Sequence, residues 1–220
     1  LSHPERLGDP LSLTVHYAAP ITDGAFEVHA RPMRTNRSTQ HWLVELRQGD
    51  AVAAFATVLT AVRRDTWSAT DAVFPSVPSA ESLPRHPGVF RTEWPKAYDM
   101  RFTDGEQVLD NVVRDDAVTR VWLRDEPPRP LDFLALSAIC DAFIPRVFVR
   151  RSRAVPAGTV TLTVYFHADA ALLAAQGTAH VLGCAKGLRY SQGFHDQTAE
   201  IWSAQGDLLA VGHQVVYFKE

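Results

Sequence analysis

The chain has 220 residues, of which 46% are hydrophobic and 21% charged, with a formal net charge of −3. That is enough for one large or two small globular domains. The mildly acidic balance gives no electrostatic footprint for nucleic acid, and neither a membrane-length apolar run nor a secretory pattern occurs. Cys140 and Cys184 lack metal-ligand spacing, so the expectation is a protein of a reducing compartment, cytoplasmic, without membrane or nucleic-acid partners.

In chain order, residues 1–10 read as a helix tail stopped by Gly8 and Pro10. A strand follows, with Leu11, Leu13, Val15 and Tyr17 alternating against Ser12, Thr14 and His16. Another strand covers Phe26–Met33, and a hairpin follows: Trp42–Gln48, a Gln-Gly-Asp turn ending at Asp50, and Ala51–Leu59. Between Arg63 and Lys96 the alternation fails, and Pro75, Pro78, Pro84, Pro87 and Pro95 mark a linker. Strands are expected again near Tyr98–Thr103 and Val118–Arg124.

The apolar run between Pro130 and Ile144 predicts one helix, begun by Pro130 and ended or kinked by Pro145. Apolar residues nearly surround it, which predicts a helix wrapped by sheet on most sides. Strands at Val160–His167, Ala179–Tyr190, Gln197–Ser203 and Leu208–Phe218 complete the chain.

These elements repeat. Leu-Ser-Leu-Thr-Val-His-Tyr from Leu11 returns 149 residues later as Val-Thr-Leu-Thr-Val-Tyr-Phe from Val160, and a second Gln-Gly-Asp turn joins the last two strands. The fold class is α+β, a helix enclosed by a long antiparallel sheet. Residues 1–64 form the first unit, 65–96 the linker and 97–220 the second unit.

Asp141 is the foremost candidate for chemistry. It sits one turn before Pro145 in a helix with few other charges, where a desolvated carboxylate needs a partner or a function. A general base and a solvated Asp at the helix edge both satisfy the pattern. Thr159 opens a strand after Gly158, and Gln214 interrupts an apolar strand, where a buried amide would need partners. Either residue also fits a structural role. No nucleophile elbow, Walker loop, dinucleotide fingerprint or zinc-protease motif occurs. His167 and His213 read as structural or supporting residues, and Cys140 as a buried, inert thiol.

The run Val121-Trp-Leu-Arg124, the helix end Ala138-Ile-Cys-Asp-Ala-Phe143, the segment Gly158–His167 and the ending Gly206–Gln214 resemble acyl-CoA thioesterase II (TesB-like) proteins. The resemblance covers the whole chain, most strongly residues 118–220. It implies a double hotdog, with Asp141, Thr159 and Gln214 as a catalytic trio that activates water against a thioester without a metal or bound cofactor. CoA would enter only as part of the substrate, its phosphates favouring surface arginines; Arg146, Arg150, Arg151 and Arg153, clustered after the helix, fit either such a role or a solvated basic face.

The resemblance also implies that the chain starts near the end of the first hotdog helix. The first unit's apolar inner face would then need cover from the linker around Phe74–Val89, another subunit or a further segment, which makes a homo-oligomer the expectation. The Gln-Gly-Asp register sets Thr57 opposite Gln214, and the strand repeat sets Pro10 opposite Thr159, so the first unit is expected to be silent. Two other readings stay open. One is a non-hydrolytic acyl-thioester binder or structural protein. The other is an enoyl-thioester hydratase, which would call for a helix His that residues 130–150 lack.

Overall fold

The computed structural model describes residues 3–87, 92–106 and 109–219. Four strands form the first unit: β1 (Asp9–Tyr17), β2 (Glu27–Thr35), β3 (Thr39–Gln48) and β4 (Ala51–Ala61). The second contains β5 (Tyr98–Asp104), β6 (Thr119–Asp125), β7 (Ala157–Phe166), β8 (Val181–Lys186), β9 (Tyr190–Ser191), β10 (Phe194–Trp202) and β11 (Leu208–Phe218). Its helices are α1 (Phe133–Asp141), α2 (Arg146–Arg151) and α3 (Ala170–Gln176).

All strands join one antiparallel sheet in the order β2-β3-β4-β1-β7-β11-β10-β8-β6-β5, with β9 beside β10. The two units meet where β1 pairs with β7. There Thr14 lies opposite Thr163, its own repeat partner 149 residues away, and their hydroxyls are 3.1 Å apart. A pseudo-twofold axis therefore passes through this pair, and the sheet runs unbroken from one unit into the other. This is the hotdog arrangement that the resemblance implies.

Helix α1 begins later than the apolar run suggests. The Asp132 side chain caps it by accepting from the Ala135 amide at 2.7 Å. Phe133, Ala135, Leu136, Ile139 and Cys140 are buried against Leu123, Leu162, Val164, Phe166, Ile201 and Ala210 of the curved sheet. The helix is not wrapped all round, however. Leu134, Ala138 and Asp141 form an exposed stripe at helical spacing. Pro145 ends nothing directly, because α1 has already closed at Asp141, and instead precedes the six-residue α2.

Two short helices, α2 and α3, escaped the sequence reading. Asp169 caps α3 by accepting from the Leu172 amide at 2.8 Å. The expected single strand over 179–190 is two strands separated at Gly187, where an added Cβ would stand 2.4 Å from the Tyr190 hydroxyl. At the other end, residues 3–8 form no helix. They make a turn fastened by Gln40, which accepts from the Leu7 amide at 2.8 Å and donates to the Glu5 carbonyl at 3.0 Å. Residues 1–2 of that expected helix tail lie outside the described residues.

The linker does not cover the first unit's inner face. Phe74, Val77, Ala80 and Leu83 pack on Trp122, Leu182 and Trp202, on the outer face of the second unit, and the Trp122 indole donates to the Pro78 carbonyl at 2.8 Å. Val89, the end of the segment proposed as cover, is outside the described residues. Along β2, all but one residue is exposed.

Candidate active site

The sheet topology brings Asp141, Thr159 and Gln214 together from three separate elements. Gln214 sits on β11 facing α1, next to β7, which starts with Ala157, Gly158 and Thr159. The Gln214 carboxamide donates to Asp141 Oδ1 at 2.7 Å and to the Cys140 carbonyl at 3.4 Å, and its oxygen accepts from the Thr159 hydroxyl at 3.4 Å. Gln214 is itself buried. One amide thus links the carboxylate to the hydroxyl. Gly158 lets the Tyr217 ring lie close to the backbone, since a Cβ there would meet that ring at 2.8 Å and have to displace it. The Asp141 carbonyl is not left open by Pro145, because it accepts from the Phe143 amide at 2.8 Å.

The trio lines a groove of about 410 Å³ with Trp94, Tyr98, Ala138, Phe143, Gln197 and Val216 among its walls, a size within the usual range for small-molecule sites. Asp141 is open to solvent through the groove mouth, yet protein atoms surround most of its carboxylate. Burial pushes its pKa from 3.8 to about 6, against the opposing hydrogen bond from Gln214. Burial thus makes this carboxylate a better proton acceptor than a free one. Burial foremost, and then the Asp141 charge, push the Tyr17 phenol up to about 12. Tyr98 is raised similarly by burial and by the charges of Asp125 and Asp141. Cys140 is fully buried and its thiol is pushed well up, chiefly by burial, so it stays an inert thiol.

His167 and His213 are both exposed, and neither lines the groove. Arg146 does not point to solvent as the basic cluster suggested. It is buried, with its guanidinium donating to the Ile144 and Ala117 carbonyls, to Thr119 Oγ1 at 2.7 Å and to Gln197 Oε1 at 3.2 Å. Burial lowers its pKa to about 10. A phosphate-binding role for this arginine is therefore withdrawn.

Gln197 also escaped the sequence reading, although its position shares a face with Ala199 and Ile201, both buried in the core. Among the described residues no cluster of His, Cys, Asp and Glu is arranged to hold a metal ion.

The first unit's equivalents are not quite those the turn register gives. Thr159 pairs with Val216 and Pro10 with Thr60, so Pro10 does stand for Thr159. However, Leu13 pairs with Val58 where its repeat partner Leu162 pairs with Gln214, so Val58, not Thr57, replaces Gln214. The discrepancy arises in the turns, because four residues separate Arg47 from its partner Val52 and five separate Trp202 from Leu208. Pro10 and Val58 line an apolar hollow of about 200 Å³ with Leu13, Val44, Phe133, Leu134 and Phe166. That hollow and the Asp141 groove lie along the same open stripe of α1.

A duplicated hotdog with a carboxylate, a hydroxyl and a carboxamide gathered at a helix end defines a thioesterase-like class of fold and site. Residues 1–62 match the model of the acyl-CoA thioesterase N-terminal domain, and residues 74–218 match that of the C-terminal domain. The chain belongs to this acyl-CoA thioesterase family. A hot dog fold protein of unknown function from Alicyclobacillus acidocaldarius is 48% identical, with a TM-score of 0.95 over 100% of this chain and 82% of that one. The tesB protein of Mycobacterium avium subs paratuberculosis (17% identity, TM-score 0.77) matches 96% of this chain and 79% of its own. Acyl-CoA thioesterase II TesB2 of Mycobacterium marinum (15%, 0.77) matches 96% of this chain and 80% of its own. These last two are likenesses of fold. No curated protein sequence matches the chain.

Proposed function

We propose that the protein hydrolyses an acyl-CoA thioester to a free acid and CoA, with Asp141 as general base. The observation that carries this reading is the chain of contacts from Asp141 through Gln214 to Thr159, drawn from three elements into one groove. A water held between the carboxylate and the hydroxyl attacks the carbonyl carbon. As the new C–O bond forms, Asp141 takes the water's proton and the carbonyl electrons move onto oxygen. Collapse re-forms the C=O bond and breaks the C–S bond. The thiolate leaves with its electron pair and takes the proton back, giving acid and thiol. No covalent enzyme intermediate is required, and the buried Cys140 is unsuited to form one. The acyl chain would lie along the open stripe of α1, toward the apolar hollow of Pro10, Leu13 and Val58.

The test is thiol release from acyl-CoAs of graded chain length by the wild type and by Asp141→Asn. Activity in the wild type, reduced at least a hundredfold in the variant, is the expected outcome. Release of thiol at equal rates by both proteins would remove Asp141 from the reaction. Binding of acyl-CoA without any turnover would favour the non-hydrolytic reading.

A further inference from the structure

Gln197 and Arg146 form a buried polar pair that the three-residue site does not use. Gln197 lies directly across β10–β11 from Gln214, so their Cβ atoms stand within about 5 Å of each other. It is 2% exposed and lines the Asp141 groove. Its carboxamide oxygen accepts from Arg146 Nε at 3.2 Å.

An arginine has donors and no acceptor, so the guanidinium dictates which end of the amide it faces. The oxygen must turn toward Arg146, and the amide nitrogen must turn away from it. Among the described residues that nitrogen has no hydrogen-bond partner. The nitrogen is not sealed from solvent, so it reaches the open space of the groove, and it is held in place by a guanidinium which is itself costly to bury. Arg146 faces no carboxylate among the described residues, and its donors are spread over two carbonyls, one hydroxyl and Gln197. The arrangement fixes an N–H donor at the wall of the reaction groove, on the strand next to the one that carries Gln214.

We infer that the Gln197 amide donates to the thioester carbonyl oxygen and stabilises the oxyanion as water adds, with Arg146 as the residue that positions it. This rests on the general-base reading of the site. Gln214 is unsuited to that task, because its own amide is engaged by Asp141 and the Cys140 carbonyl. Gln197 has the free donor that Gln214 lacks.

Gln197→Met keeps the volume and removes the donor. Gln197→Glu lets a carboxylate face Arg146 and likewise presents no donor to the groove. Each variant is expected to lower kcat by about 10²–10³-fold, the usual cost of one oxyanion donor, with KM little changed; the acid limb of the pH profile should stay in place for Gln197→Met and move upward for Gln197→Glu, whose charge opposes that of Asp141. In an Asp141→Asn background, slowed enough for the bound state to be observed, the carbonyl stretch of bound acyl-CoA should fall to lower wavenumber, and Gln197→Met should abolish that fall. Arg146→Lys should slow the reaction less, and adding it to Gln197→Met should slow the enzyme no further. Melting curves identify a variant that has merely lost its fold, and the second substitution then decides.

An active wild type, an inactive Asp141→Asn and a fully active Gln197→Met would overturn the inference alone. A wild type inactive on every thioester would overturn the general-base reading together with it.

Discussion

Asp141→Asn should make the protein more stable while making it a worse catalyst, because the carboxylate carries its charge where burial disfavours it. Moving an acid from 3.8 to about 6 corresponds to about 3 kcal/mol at 1.36 kcal/mol for each pKa unit. Asp141 remains open to groove water, so screening reduces the figure to about 1 kcal/mol. The sign follows from linkage. The unfolded chain loses this proton near pH 3.8 and the folded chain near pH 6, so the stability of the protonated state is whole below about pH 3.8. It falls as pH rises toward 6 and is level above that. The Asn variant has no such loss. Its melting temperature should exceed that of the wild type by about 2–4 °C at pH 8, as expected for 1 kcal/mol in a chain of this size. The gain should vanish toward pH 4. Differential scanning calorimetry at pH 4, 5, 6 and 8 measures this directly, and kcat on the best acyl-CoA should fall by about 10²–10⁴-fold in the same variant. A pH-independent change in melting temperature, or destabilisation by Asn at pH 8, would refute the argument that burial raises this group.

Gln214→Ala should lower kcat by about tenfold or more, since it removes one hydrogen bond to a charged group, and the acid limb of the rate profile should move upward because that bond now favours the anion. Thr159→Ala should cost activity as well, and Thr159→Ser, which keeps the hydroxyl, should restore most of it in the same assay. Phe74→Ala strips part of the linker's packing from Trp122 and Trp202; for a half-buried ring this should cost about 1–2 kcal/mol, read as a lower urea midpoint. Phe26, Val28 and Met33 are each more than half exposed at the β2 edge, so light scattering should find a homo-oligomer, and Val28→Lys should shift it toward monomer.

The fold was legible where patterns were long. Period-two alternation gave β1, β3, β4 and β11 close to their observed bounds, and the 149-residue repeat already contained the pseudo-twofold pair Thr14 and Thr163. Short elements were not legible, because α2 and α3 have six and seven residues, too few to establish a helical period. Their signals lie in caps, Asp169 before α3 and Pro145 before α2. Asp141 stood out as a carboxylate in an apolar helix, whereas Thr159 and Gln214 were joined to it through resemblance and not through spacing, since only the folded sheet places residues 55 and 73 positions apart in contact. Arg146 was misread for a general reason. A run of arginines looks like a solvated face, and nothing in the sequence says that the first of them turns inward to carbonyl acceptors. The same register arithmetic that located Pro10 failed at Val58, because a turn one residue longer shifts everything beyond it.

The asymmetry of the two units explains why one duplicated fold would suit a thioester. The pseudo-twofold axis through Thr14 and Thr163 makes two equivalent grooves, one on each side of the junction of β1 and β7. On one side the positions hold Thr159 and Gln214, backed by Gln197. On the other they hold Pro10 and Val58, which can neither orient water nor activate it. The lining there is mainly apolar, and covering apolar surface gains about 25 cal/mol for each Å². A substrate with one polar, reacting end and one hydrocarbon end makes the opposite demands on the two sites. On the general-base reading, divergence at two positions lets a single fold meet both demands, with α1 joining them by its open stripe from Leu134 to Asp141. Introducing Gln at Val58 would therefore not create a second active site, because no carboxylate lines that hollow. It would instead place an amide at a half-buried position of the mainly apolar hollow. The expected result is a loss of about 1–3 kcal/mol of stability together with weaker binding of long acyl chains relative to short ones. Unchanged chain-length preference in Val58→Gln would show that the hollow takes no part in holding the substrate.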